Sequence, residues 1–277
     1  MNVGSCIKRL HDIEAQARAL MCEYCGTETL GMGDMCMCSN CESMVLTDRS
    51  TLQAKDAVLL DSLDSISKLI GDSSYKEAME IYDKMIAERN EPSLMYAAAV
   101  ALFRYSNYEI MQINYMSKGF MDENAIHRSN ASKLISSAKK LLAKSISIAN
   151  KEIAGGIAPL NLLYNRFLSQ VKMGNSKGAK ESLDALIKSN NEYVSTYSSM
   201  LFESYIGRYG NVVEIADKLT TEKSFSVNAF YYIGLALFKT RDAGGAKKIL
   251  YALRESLKSD SLDALILEVD YQTATLK

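Results

Sequence analysis

Two pairs of cysteines near the N-terminus are the residues with the clearest capacity for chemistry. Two residues separate Cys22 from Cys25, two separate Cys38 from Cys41, and twelve lie between the pairs. Two such thiolate pairs, at this separation in the chain, form the donor set of a tetrahedral Zn²⁺ site. The spacing therefore predicts a structural zinc ion on Cys22, Cys25, Cys38 and Cys41, which orders a short segment with little apolar core.

The same segment offers alternative sulfur ligands. Cys36 lies two residues before Cys38 and can replace it after a small shift of register. Met32, Met35 and Met37 add soft donors that suit Cu(I), and four cysteines can also hold an iron–sulfur cluster. Zinc is favoured because the paired spacing supplies four ligands without any methionine. The methionines are then expected to be apolar cover for a neighbouring helix.

The first pair, in the segment 22–26 (Cys-Glu-Tyr-Cys-Gly), resembles the knuckle of a zinc ribbon. In such a knuckle Gly26 turns the backbone so that N–H groups face the thiolates. The second pair, in 38–42, has no glycine at the corresponding position. Many zinc ribbons bind nucleic acid, but residues 22–48 contain five acidic residues and no Lys, Arg or His. Because phosphate binding requires cationic side chains, the module is expected to be structural or to contact protein.

Cysteine usage and the N-terminal charges bear on the cellular compartment. Five of the six cysteines lie between Cys22 and Cys41, which favours a metal site in a reducing compartment over a disulfide framework. Five charged residues within 1–21 argue against a signal peptide. No apolar run approaches the roughly 18 residues that a membrane span requires. We expect a cytoplasmic protein with no membrane partner.

The pattern of apolar residues predicts a mostly α-helical chain in three segments. Residues 1–21 are predicted to form an amphipathic helix, capped by Ser5, that packs against the body of the protein or against a second copy. Residues 22–48 form the metal module, and 51–277 a domain of helices of roughly 12 to 20 residues. The predicted helix breaks are Gly71–Ser74, Asn90–Pro92, Tyr105–Asn107, Gly119, Gly155–Gly156, Gly174–Asn175, Gly207–Asn211 and Asp242–Gly245.

An internal repeat refines the helical domain. The landmarks Ala78, Met111, Ala179, Ile215 and Ala246 are spaced by 33, 68, 36 and 31 residues, the second interval being close to two units of 34. The segment is similar to the tetratricopeptide repeat, a 34-residue helix–turn–helix unit. Its best match carries large, apolar, small and large residues in one helix and three apolar residues in the next: Phe230, Ile233, Gly234, Leu237, Ala246, Leu250 and Leu253.

A second match consists of Met95, Ala99 and Leu102, followed by Met111 and Tyr115. The resemblance implies a solenoid of helical hairpins that binds a protein or peptide. The chain departs from the family in having no Trp and in losing the period between 116 and 159, and another helical repeat or bundle would share much of the pattern.

Two other groups of residues are candidates for binding. Six basic residues and no acid lie between Arg128 and Lys151. On a helix, Lys133, Lys140, Lys144 and Lys151 share one face, which is either a solvated outer surface or a contact for an acidic protein, RNA or the acidic ribbon of a second chain. Four of the sixteen tyrosines are candidates for lining a peptide groove but are more simply packing residues: Tyr96, Tyr164, Tyr197 and Tyr231.

Catalysis has little support in the sequence. His11 and His127 are the only histidines, and neither lies in a metal or triad motif. Gly31-Met-Gly33 is interpreted as turn chemistry rather than a nucleotide loop. We therefore expect a non-enzymatic interaction adaptor with a structural zinc site. The alternative is an RNA- or ribosome-associated regulatory factor that uses the basic helix 128–151.

Overall fold

The computed structural model of the protein describes residues 2–32, 35–46, 57–113, 121–219, 225–257 and 260–275. Within these residues the chain is mostly α-helical, with twelve helices and five short strands. The chain divides into two compact units. The first is Met1–Cys22, Thr27–Ala54 and Ser176–Lys277, and the second is Glu23–Gly26 and Lys55–Asn175. These boundaries differ from those of the three predicted segments.

The first unit begins with helix α1 (Val3–Glu14). The side-chain Oδ1 of Asn2 accepts a hydrogen bond from the Ser5 N–H at 3.2 Å, so Asn2 is the N-cap and not Ser5. The predicted helix 1–21 is also wrong at its other end, because residues 18–21 form strand β1 (Arg18–Met21). Antiparallel pairing of this strand with residues 28–31 supplies backbone hydrogen bonds that outweigh the helical period.

Around the cysteine pairs the chain forms short strands, and we call these strands together the ribbon. They are β1, β2 (Glu28–Met32), β3 (Met35–Met37), β4 (Met44–Leu46) and β5 (Phe225–Ser226). They make a three-stranded sheet of order β1-β2-β5 and a hairpin of β3 and β4.

Gly31 lies within β2, opposite Arg18 and Ser226, so its interpretation as turn chemistry is wrong. A Cβ at Gly31 would lie 2.5 Å from the Cys36 Sγ. The glycine therefore makes room for a buried thiol, and Gly33 lies outside the described residues.

The remaining helices of the first unit pack against one another in chain order. They are α7 (Ser176–Lys188), α8 (Glu192–Tyr205), α9 (Tyr209–Leu219), α10 (Asn228–Lys239), α11 (Ala243–Leu253) and α12 (Asp260–Thr275). Each packs on the next, and α10 also contacts α8 and α12. Helix α1 packs on α11 and buries Cys6 and Leu10 completely. The expectation that the N-terminal helix covers the protein's own body is confirmed.

Helices α10 and α11 approach each other closely at Gly234. Phe230 and Ile233 on α10 are fully buried, as is Leu250 on α11. A Cβ at Gly234 would lie 2.4 Å from Leu250 Cδ2. The small residue thus allows the two helices to approach closely, with large residues filling the space on either side.

The second unit contains five helices in sequence. They are α2 (Ala57–Gly71), α3 (Tyr75–Arg89), α4 (Pro92–Met111), α5 (Met121–Ala154) and α6 (Leu160–Lys172). Each packs on the next, and α4 also contacts α6. None of the described helices is both long and apolar enough to cross a membrane.

The predicted break at Tyr105–Asn107 is wrong, because α4 continues to Met111. Ser106 is buried and the Tyr105 ring stacks on Tyr75 with centroids 5.3 Å apart, so packing outweighs the turn preference of this stretch. Met111 is therefore the last residue of α4, whereas the repeat match placed it in the next helix. Tyr115, the other predicted landmark, lies outside the described residues.

Most of the stretch in which the repeat period is lost, 116–159, is one helix of 34 residues, α5, which includes the predicted basic helix 128–151. Its packed face is made mostly of small residues, which accounts for the weak apolar period. These residues are Ala131, Ala138, Leu142, Ser145 and Ala149. The Ser145 hydroxyl lies 3.0 Å from both the Pro92 carbonyl oxygen and Asn165 Oδ1, joining α4, α5 and α6.

Candidate metal centre

The four predicted cysteines come together in the ribbon. The sulfurs of Cys22, Cys25, Cys38 and Cys41 lie within 4.8 Å of one another, and each residue is at most 1% exposed. Cys22 Sγ and Cys41 Sγ are 3.7 Å apart. Four sulfurs about 2.3 Å from a tetrahedral zinc ion lie about 3.8 Å from one another, and a disulfide would require about 2.05 Å. The cluster can hold one metal ion, and its spacing is consistent with zinc.

The two knuckles share one backbone pattern. In the first, the Cys22 N–H donates to the carbonyl of Thr27 at 3.0 Å. In the second, the Cys38 N–H donates to the carbonyl of Ser43 at 2.8 Å. The Asn40 N–H also lies 3.4 Å from Cys38 Sγ, where it stabilises a thiolate. Both cysteine pairs are thus held by the same local hydrogen bonding.

The residue after each pair adopts a left-handed backbone. Gly26 has φ of 70° and Glu42 has φ of 63°. At Gly26 a side chain is also excluded by space, because a Cβ would lie 1.9 Å from the Leu63 carbonyl oxygen of α2. Glu42 therefore takes the conformation for which the first knuckle uses glycine, at a cost of roughly 1–2 kcal/mol.

Helix α10 holds the second knuckle from outside the ribbon. Asn228 Nδ2 donates to the Cys38 carbonyl oxygen at 2.9 Å, and the Tyr232 hydroxyl donates to Glu42 Oε1. Burial and the neighbouring Glu42 carboxylate raise the pKa of Tyr232 well above its usual range, so the phenol keeps its proton. Asn228 and Tyr232 lie one helical turn apart and act on the same knuckle. The Tyr232 bond also holds Glu42 in its strained conformation.

The remaining cysteine of the loop is not part of the centre. Cys36 is buried on β3, and burial raises its pKa to about 12, so it remains a neutral thiol near pH 7. The group of cysteines that can share an ion contains Cys38 and not Cys36. The alternative in which Cys36 replaces Cys38 does not fit this geometry.

The other predicted residues lie elsewhere. Lys133, Lys140, Lys144 and Lys151 are on α5, and all four are exposed. Tyr96, Tyr164 and Tyr197 are at most 1% exposed, so they are packing residues and line no groove. Tyr231 is half-buried, and burial raises its pKa to about 12.

Sequence reasoning missed the residues that support the centre. Asn228 and Tyr232 are 190 residues from their partners, and no local pattern connects them with the ribbon. Glu42 could have been found, because it holds the position in the second knuckle that Gly26 holds in the first.

Comparison with known proteins adds no relationship: no protein-family model, curated protein or solved structure matches the chain.

Proposed function

We propose that this protein is a non-enzymatic adaptor in which a structural zinc ion orders an N-terminal ribbon and the helical surface binds a protein partner. The burial of all four cysteines, each at most 1% exposed, carries the proposal. A zinc ion held by four protein thiolates has no open coordination position for substrate or water. The ion then stabilises the fold and takes no part in a reaction.

The helical packing supports the interaction role. Within the first unit, each helix from α7 to α12 packs on the next, and α10 contacts both α8 and α12. Contacts between alternate helices are typical of stacked hairpin repeats such as the tetratricopeptide repeat. Such stacks expose a long surface on which a protein or peptide can lie. A cluster of cysteine thiolates also fits the reducing environment of the cytoplasm.

The first test concerns the metal. Protein purified without added metal is expected to contain about one zinc per chain by elemental analysis. Removal of the ion by a chelator should loosen the ribbon, seen as faster amide exchange in residues 18–46. A chain that is metal-free as purified and unchanged by chelators would refute the structural zinc site.

The second test concerns the partner. Proteins retained by the zinc-loaded chain are identified by mass spectrometry, purified, and titrated against it by calorimetry. Leu267 and Tyr271, 69% and 74% exposed on α12, provide a mapping variant, in which both are changed to Glu. Ile187→Glu on α7, at a residue 50% exposed, is the control for added charge. A purified partner with a measurable Kd supports the adaptor role, and a chain that binds no purified protein contradicts it.

The alternative, an RNA- or ribosome-associated regulatory factor, rests on the lysines of α5 and is independent of the metal centre.

A further inference from the structure

Helix α5 presents one continuous basic surface, which we call the lysine face: Lys133, Lys140, Lys144 and Lys151. At 100° per residue, these side chains lie within about 50° of the direction opposite the packed face of the helix. All four are exposed, whereas Ala131, Ala138 and Ala149 on the packed face are at most 3% exposed. The lysine face is therefore free of the contacts that α5 makes with α4 and α6.

No described acidic side chain neutralises this face. None of its four lysines forms an ion pair with a described carboxylate. Residues 124–180 contain ten basic residues and a single acid, Glu152, leaving 22 basic and 32 acidic residues elsewhere in the chain. The net charge of −1 thus hides an uneven distribution of charge, and α5 itself carries six Lys and Arg residues against three acids, Asp122, Glu123 and Glu152.

The side chains between the lysines are small and polar. From Ser129 to Lys151, the positions within about 60° of the direction opposite the packed face carry only Lys, Ser and Ala; exposed Asn150, at the edge, accepts a hydrogen bond from Arg166. Ser129, Ser136 and Ser147 are exposed and add hydroxyl donors. The lysines extend over about 27 Å of helix, which equals the length of about eight nucleotides of one strand at 3.4 Å each. Nothing bulky on this ridge prevents close approach of a long polyanion.

We propose that the lysine face binds the phosphodiester backbone of a nucleic acid without reading its bases. Lysine ammonium groups bind phosphate as point charges, and four of them along about 27 Å of one helix match the evenly spaced charges of a single strand. The face carries no aromatic side chain on which bases could stack, so its lysines and serines are expected to contact the backbone. The acidic ribbon takes no part. This binding is separate from the adaptor role and from the zinc ion.

The proposal predicts a defined salt dependence. Zinc-loaded full-length protein is titrated against a labelled single-stranded RNA of mixed sequence, by fluorescence anisotropy, between about 25 and 200 mM NaCl. Four phosphate contacts should give a slope of log K against log salt of about −3. The K140Q/K144Q variant should bind more weakly and lower the slope to about −1.4, since each lost contact removes about 0.7. A second RNA of different sequence should bind within about twofold, because no base is read.

The control is K76Q/K84Q, which removes two exposed lysines from α3 in the same unit. This variant should retain the affinity and the slope, and all variants should show unchanged circular dichroism and Tm. Absence of binding by the wild-type protein at about 25 mM NaCl would overturn the proposal, as would equal weakening by the control variant. Competition by poly-glutamate as strong as that by RNA of equal charge would also overturn it, in favour of an acidic protein partner.

Discussion

Gly234 offers the most direct test of how α10 packs on α11. Its φ is not in the left-handed region, so the backbone itself accepts alanine. Alanine is the better helix former by about 1 kcal/mol, and local preference alone would predict a stabilised protein. The new Cβ would, however, lie 2.4 Å from Leu250 Cδ2 and 2.7 Å from its Cγ. Leu250 is fully buried, so its side chain cannot move into solvent to relieve this contact.

The magnitude follows from these opposing effects. Ordinary carbon–carbon contact is about 3.5–4.0 Å, so the new Cβ would overlap Leu250 by more than 1 Å. Overpacking usually costs about 1–3 kcal/mol of folding free energy, and this overlap predicts a value in the upper part of that range. After subtraction of the helix preference, Gly234→Ala should lower the free energy of unfolding by about 1–2 kcal/mol. In a Leu250→Ala background the overlap disappears, and the same change should stabilise the protein by about 1 kcal/mol.

Urea denaturation of the zinc-loaded protein, followed by circular dichroism, measures these differences in a double-mutant cycle. The matched control is Gly210→Ala on α9, where the new Cβ meets no atom within 4 Å, and it should stabilise the protein by about 0.5 kcal/mol. If Gly234→Ala proves at least as stable as the wild type, or if the cycle shows no coupling with Leu250, the close approach of the two helices is not as described.

The remaining predictions concern the metal centre. Cys38→Ser should lose its zinc on dialysis against a weak chelator while Cys36→Ser keeps it, as measured by elemental analysis; equal retention by both would contradict the ligand assignment. Tyr232→Phe removes the hydrogen bond to Glu42 and should weaken zinc binding about 10–100-fold, measured by competition with a chromophoric chelator. An unchanged affinity would show that α10 does not support the knuckle. In Gly26→Ala the new Cβ would sit on a residue of positive φ and lie 1.9 Å from a backbone carbonyl of α2. The Tm of this variant should therefore be several degrees below that of the wild type in a thermal melt, and an unchanged Tm would refute that contact.

Features encoded by neighbouring residues were predictable from the sequence. The four clustered cysteines follow from spacing alone, because a loop of twelve residues brings two pairs together. Several helix ends were found because glycine or asparagine takes a positive φ there, as at Asn90 and Gly174. The hairpin of α10 and α11 was found because large and small residues alternate at helical spacing.

Features that depend on distant contacts were not predictable. Residues 18–21 have a helical period but pair as a strand with β2. The stretch Tyr105–Asn107 has turn-forming residues but is held in α4 by the stacking of Tyr105 on Tyr75. In each case a tertiary contact outweighs a local preference of a few tenths to about 1 kcal/mol.

The distance along the chain between the cysteines and their helical support has a consequence for biosynthesis. The second knuckle is translated 190 residues before the asparagine and tyrosine of α10 that hold it. At about 5–20 residues per second, that interval lasts about 10–40 s. During this interval the four thiols lack the contacts of α10, so they are exposed to oxidants unless the proposed ion binds early or another factor shields them. With the proposed zinc ion, the concentration of exchangeable zinc during translation is expected to affect how much correctly assembled protein forms.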